Sequence, residues 1–201
     1  GEDWSQEFAA GPMNQFLLYK DIPRKYDAWD IDANYIDQQV EDAVLADSCE
    51  ILQSEGMKAV LKVSGKIGKS PYTQLISLEA DSARLEFSTS IDWKERHRLL
   101  KVGFPVRVYG EMGIHEMQFG YVERPTHRSR LYDQDRFEVC NHHYSALCDQ
   151  SHGMAVLNDC KYGISMNENR LELTLLRGAS SPDFYADRGT HTFTYGIYGW
   201  K

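Results

Sequence analysis

The residue types best suited to chemistry fall in three places along the chain. Cys140-x-His142-His143-x4-Cys148 supplies thiols and imidazoles, the donor types of a zinc site. A closed zinc site usually takes its ligands as two compact pairs on turns, whereas Phe137-Glu138-Val139 runs into Cys140 with the character of a strand. Buried or partly buried thiols and imidazoles are therefore expected, and no metal ligand is assigned. Asp27, Trp29, Asp30 and Asp32 form a second group. Carboxylates accept paired hydroxyls and an indole face packs on C–H surface, so this stretch suits a hydroxyl-rich ligand. In an extended segment Asp30 and Asp32 share one face while Asp27 and Trp29 share the other, so all four cannot converge on one sugar. The alternative is structural: Trp29 plugs an interface while the carboxylates cap turns or pair with Arg24. The third group is Arg124-Pro125-Thr126-His127, where a stiff turn would present a guanidinium and an imidazole at a domain junction. Those two side chains equally suit backbone carbonyls or the neighbouring Glu123.

The elements that must position these residues are strands. Met57, Ala59, Leu61 and Val63 alternate with mostly polar partners, as do Leu85, Phe87, Thr89, Ile91 and Trp93, and Leu100, Val102, Phe104, Val106 and Val108. His115 to Tyr121, Leu171 to Leu175 and His191 to Ile197 show the same period of two, and Met154 to Leu157 reads as buried on both sides. Turn-formers separate the segments: Ser64-Gly65, Gly68 to Pro71, Asn158-Asp159, Asn167 to Asn169 and Ser180 to Asp183. Only Asp37 to Leu52 offers a competing helical reading. His142 and His143 on successive strand positions would put one imidazole inward, and Asn158 to Tyr162 reads as a turn locking two strands. Many antiparallel strands with long returns predict an all-β fold, a large antiparallel β-sandwich spanning 1–201 as one domain, with 1–25 as a lead-in loop or strand.

Composition sets limits. A 201-residue chain with 42% hydrophobic and 26% charged residues can bury a real core. The net charge of −8 opposes a phosphate-binding surface, so no nucleic-acid partner is expected. No apolar run reaches the ~20 residues of a bilayer span, so no membrane partner is expected either. The four cysteines lack a short repeated spacing and read as free thiols in a reducing cytoplasm. Both ends look cut from a longer polypeptide.

Local sequences carry more than the period does. Lys20-Asp-Ile-Pro-Arg-Lys-Tyr-Asp-Ala-Trp-Asp-Ile-Asp32 resembles a signature of family-38 glycoside hydrolases, the zinc-dependent retaining α-mannosidases, in their bacterial and cytosolic branch. Trp93 to Arg96 with Leu99 to Lys101 and Phe104-Pro105, Glu123 to His127 with Asp133 and Phe137 to Val139, and Leu157 to Gly163 are similar to the family's next blocks. Leu175 to Arg177, Pro182-Asp183, Ala186-Asp187, Gly189, His191 and Phe193 to Tyr195 complete the series. Tyr132 and Tyr144 stand where the family usually shows Trp, and Ala146 where it commonly has Asp.

The resemblance covers the C-terminal β-sandwich portion of such enzymes, a supersandwich of the galactose-mutarotase type. It implies that the zinc, the nucleophilic carboxylate and the proton donor lie in a separate N-terminal catalytic domain, followed by a helical bundle. The chain itself is then expected to have no catalytic residue and no cofactor. Its role would be to brace the catalytic domain of an enzyme acting on mannose-containing oligosaccharides, with a homo-oligomer of the parent as a further expectation. Asn14 lies where the family brings a β-loop toward the cleft and joins Asp27, Trp29, Asp30, Asp32, Arg124 and His127 as a substrate-contact candidate, against the alternative of a surface turn amide. Two other functions compete: a free-standing carbohydrate-binding sandwich, which twelve tyrosines and four tryptophans would suit, and an aldose-epimerase-like enzyme, for which spacing nominates no acid–base pair.

Overall fold

The computed structural model describes residues 8–40 and 44–201. Two antiparallel sheets face each other. The smaller contains β1 (Gln15–Lys20), β6 (Arg98–Pro105), β9 (Val139–Cys140), β12 (Gly163–Asn167) and β13 (Arg170–Arg177), in the order β1-β6-β13-β12-β9. The larger contains β2 (Val44–Gln53), β3 (Lys58–Ile67), β4 (Ser70–Glu79), β5 (Arg84–Trp93), β7 (Met112–Met117), β8 (Gly120–Pro125), β10 (Tyr144–Cys148), β11 (Gly153–Asn158) and β14 (Gly189–Trp200). Its order is β2-β3-β4-β5-β14-β11-β10-β7-β8. The expected β-sandwich is the observed architecture.

Alternation explains where the core sits. Leu100, Val102 and Phe104 of β6 and Leu171 and Leu173 of β13 meet Phe87, Ile91, Phe193, Tyr195, Met154 and Val156 from the larger sheet. β6 is buried on both faces, because Leu99 on its far side packs with Leu17, Tyr19 and Tyr35 in a second, smaller cluster. The segment that forms this cover is a 3₁₀ turn at Ala33–Asp37, followed by residues 38–40 bonded back onto β1. The outer face of the five-stranded sheet is thus roofed by the chain between Asp21 and Val40.

Four sequence expectations need correction. Ser64-Gly65 is no turn: β3 runs through it, and the reversal comes at Gly68-Lys69. Gly65 is required there because a Cβ would fall 1.9 Å from the Leu45 carbonyl oxygen, where β2 crosses close. The 37–52 stretch is not helical: residues 44–53 form β2, paired to β3 with two bulges, so strand pairing overrides an ambiguous local pattern. Residues 41–43 lie outside the described residues. His115 to Tyr121 is a hairpin instead of one strand face, with Phe119 fully exposed at its tip and only His115 buried. Finally, Met57, Ala59 and Leu61 are exposed, and β3 enters the core only from Val63 to Ile67.

Candidate functional site

The stretch carrying Asp27, Trp29, Asp30 and Asp32 is not extended, and this corrects the two-face expectation. Trp29 and Asp30 both donate their backbone N–H to the Tyr26 carbonyl, at 2.7 and 2.9 Å, closing a tight turn with Tyr26 at a φ of 58°. Arg177, at the end of β13, holds this turn. Its Nε donates to Asp21 Oδ2 at 2.7 Å, and its Nη2 donates to the carbonyls of Asp30 (2.6 Å) and Asp27 (3.1 Å). A planar guanidinium suits such a cluster because its donors leave in fixed directions. Asp21 is almost fully buried; burial pushes its carboxyl pKa up, and the Arg177 hydrogen bond and charge oppose that rise.

The carboxylates are largely spent on the backbone. Asp27 Oδ2 accepts from the N–H groups of Ser180 and Ser181 at 2.7 and 3.1 Å, while His97 Nδ1 lies 3.6 Å from its other oxygen. Asp32 Oδ2 accepts from the Arg24 N–H, and Asp30 Oδ1 from the Ile31 N–H, both at 3.0 Å. These are the bonds of turn caps. Trp29 is 73% exposed, with Tyr26 and Ile22 also outside. Asp27 ties this loop to the one carrying Phe184 and Tyr185, both exposed, where the Arg96 guanidinium sits 3.6 Å over the Phe184 ring. One end of the sandwich therefore displays aromatic rings on loops that are bonded down.

The other candidates lie elsewhere. Asn14 is not a surface turn amide: it donates to Gln74 Oε1 at 2.6 Å and accepts from Tyr195 Oη at 2.7 Å. Gln74 also donates to Thr89 and Tyr195, so Asn14 closes a polar knot inside the larger sheet. Burial holds the Tyr195 phenol well above its ordinary pKa. Arg124 donates to the Cys140 carbonyl at 3.2 Å. His127 Nδ1 sits 2.9 Å from Ser129 Oγ and 3.9 Å from Asp133, not beside Glu123. Thr126, between them, bonds Glu168 in the β12–β13 turn, whereas Arg177 ends β13 at the opposite pole. Eight residues of strand put about 23 Å between the two groups. They cannot serve one sugar.

His142 and His143 lie in a turn before β10 instead of alternating along a strand, their rings 3.9 Å apart and tilted at 46°, and His142 stacks on Tyr162. Of the motif's two thiols Cys148 is partly buried, as expected, and Cys140 is exposed; Cys49 and Cys160, elsewhere in the chain, are also exposed free thiols. Among the described residues no group of three or more His, Cys, Asp or Glu could hold a metal ion, so these side chains do not fit a zinc site. The 158–162 turn does lock strands: Asn158 Nδ2 donates to the His142 carbonyl, its Oδ1 accepts from Lys161 N–H, and Asp159 accepts from Thr194 N–H.

Sequence reasoning missed two buried centres. Lys101, fully buried on β6, donates to Glu138 (2.5 Å), Ser165 (2.7 Å) and Tyr35 (3.0 Å), with Glu172 at 4.0 Å. Burial alone would lower its pKa, but Glu138, Tyr35 and Glu172 outweigh that and hold the ammonium charged. The signal was present, since Lys101 interrupts the apolar run Leu99 to Phe104. His115 Nδ1 contacts Ser145 Oγ at 2.9 Å, and Asn141 donates to the same hydroxyl. Burial first, and the Arg124 charge second, lower the His115 pKa to about 4.

These networks position strands and loops. Comparison with known proteins identifies the class to which this two-sheet sandwich belongs. The family description "Glycosyl hydrolases family 38 C-terminal domain" matches residues 3–185. The chain belongs to glycoside hydrolase family 38. It is 36% identical over 190 residues to "Alpha-mannosidase G" of Dictyostelium discoideum, covering 92% of this chain and 17% of that protein. It is 36% identical over 201 residues to human "Alpha-mannosidase 2C1", covering 98% of this chain and 19% of that one. An α-mannosidase structure from Enterococcus faecalis V583 superposes with a TM-score of 0.76 at 16% identity, covering 94% of this chain and 26% of its own. The chain thus spans less than one fifth of the length of these curated relatives.

Proposed function

We propose that residues 1–201 act as a non-catalytic brace within an enzyme that hydrolyses α-mannosidic linkages in glycans. The nucleophile, the proton donor and the zinc would lie outside these residues, in a catalytic domain that this module supports. Asn14, Asp27, Asp32, Arg124 and His127 have structural partners of their own. The observation that carries the reading is the Arg177 clamp: it holds Tyr26 and Trp29 exposed on a rigid turn whose carboxylates are already occupied. Trp, Tyr and Arg on a pre-ordered surface are the residue types that dominate protein–protein contacts. The catalytic and helical domains of the same enzyme are the partners this surface suits. A mannose-containing oligosaccharide would reach the enzyme through the catalytic domain. The exposed thiols Cys49, Cys140 and Cys160 favour a cytoplasmic setting.

The test is Trp29→Ala combined with Tyr26→Ala in the complete enzyme. The brace reading expects a lowered thermal midpoint and lost α-mannosidase activity there, with little change in the midpoint of residues 1–201 alone. Equal midpoints in the complete enzyme would reject it. A second reading, direct sugar binding, draws on the same exposed Trp29 ring beside Asp30. Titration of residues 1–201 with methyl α-mannoside, followed by Trp fluorescence, separates them, because only direct binding gives a saturable change that Trp29→Ala removes.

A further inference from the structure

The two sheets differ in size, and among the described residues the difference leaves an apolar face uncovered. At about 4.8 Å per strand, nine strands span about 38 Å and five span about 19 Å. Opposed residues on the inner face of the larger sheet form one row across it: Tyr195, Phe87, Ile76, Leu61 and Ile51. Their exposure climbs outward, from 1% at Tyr195 and 2% at Phe87 to 37% at Leu61 and 66% at Ile51. The row continues the core and is apolar throughout, yet its outer end meets solvent. In the next row, Leu78 and Ala59 are exposed in the same way. Strand β2 carries two bulges, which disfavour pairing at its free edge, so an occupant would pack on the face.

We infer that the inner face at the β2–β4 corner is a docking surface for an apolar segment of the same polypeptide lying outside residues 1–201. The inference rests on the reading of this chain as part of a longer enzyme. The relatives supply the room for such a segment, since more than four fifths of their length lies outside the match. A second copy suits the corner less well. Each chain carries a net charge of −8, and a face-to-face dimer would bring two such chains together. An intrachain segment extends the existing core with no new association step.

Cys49 reports on this surface. It is exposed and stands opposite Val63, which packs on the core from the same face. Maleimide labelling of Cys49, read by peptide mass spectrometry, is compared in residues 1–201 and in the complete enzyme. The inference expects labelling at least about tenfold slower in the complete enzyme, with Leu61→Lys restoring the faster rate. Equal rates overturn it. Protection that grows with concentration in residues 1–201 alone also overturns it, in favour of a second copy. Turnover of an α-mannoside by the same complete sample reports separately on whether the parent is the enzyme proposed above.

Discussion

The two poles of the larger sheet expose apolar side chains for different physical reasons. At one pole Trp93 donates its indole N–H to the Arg177 carbonyl, and beyond it Trp29 and Tyr26 stand out on a loop fixed by buried charge. Toward the other pole, about 20–26 Å from Trp93 along β5, in the rows of Phe87 and Leu85, Leu61 and Leu78 are exposed because the covering sheet has ended. The first pole is built by specific polar bonds to present something. The second is a core left open on one side. Exposure alone does not distinguish them. The bonding beneath the exposed residues does.

The largest effect should come from Lys101→Met, which strips the charge partner from Glu138 beneath the 33–40 cover. Leaving a buried carboxylate uncompensated costs about 3–5 kcal/mol, read as a fall in the urea midpoint. If the comparison holds, hydrogen exchange rises over Tyr35 to Gln39 and stays unchanged at the β2–β4 corner.

Next is acid. The His115 pKa is depressed to about 4 in the folded protein against 6.5 unfolded, so the folded state favours the neutral ring. Its contribution is therefore fully present above pH 6.5 and is lost as pH falls toward 4, by up to about 3 kcal/mol. His115 lies on β7, toward the opposite edge of the larger sheet from β2. A denaturation series should show His115→Gln flattening this pH dependence, while Ile51→Lys leaves it intact.

Arg177→Ala should cost about 2 kcal/mol through lost charged hydrogen bonds to Asp21 and the loop carbonyls, because Asp21, whose pKa burial already raises, can take up a proton once Arg177 is gone. Amide exchange would then rise across residues 26–32. Arg177→Lys should recover only part of the loss, because an ammonium cannot reproduce the planar donor set. The smallest effect belongs to the open corner. Leu61→Lys in residues 1–201 should stay within about 0.5 kcal/mol of the parent sequence by thermal melting, since a half-exposed side chain has little burial to lose.

Much of the fold was legible because alternation matched burial in the central strands: Leu100 to Phe104, Phe87 to Trp93 and Phe193 to Tyr195 read directly as core. Legibility failed at the edges. Met57, Ala59 and Leu61 alternate as well as any core strand, and only the width of the opposing sheet leaves them outside, which no local pattern encodes. Ser64-Gly65 looks like a turn until β2 is seen crossing against it. The candidate site was half legible. Turn-capping by Asp27 and Asp32 was an open alternative from residue types, but Arg177 sits roughly 150 positions away from the loop it clamps, and spacing could not connect them. Asn14 was misplaced for the same reason, since its partners Gln74 and Tyr195 come from strands far along the chain.

The most direct test of the account is α-mannoside hydrolysis by purified residues 1–201 beside the complete enzyme, with zinc content measured in both. The account predicts turnover and zinc in the complete enzyme and neither in residues 1–201. Turnover by residues 1–201 that persists through further purification and disappears in an Asp30→Asn or His127→Ala variant would contradict it.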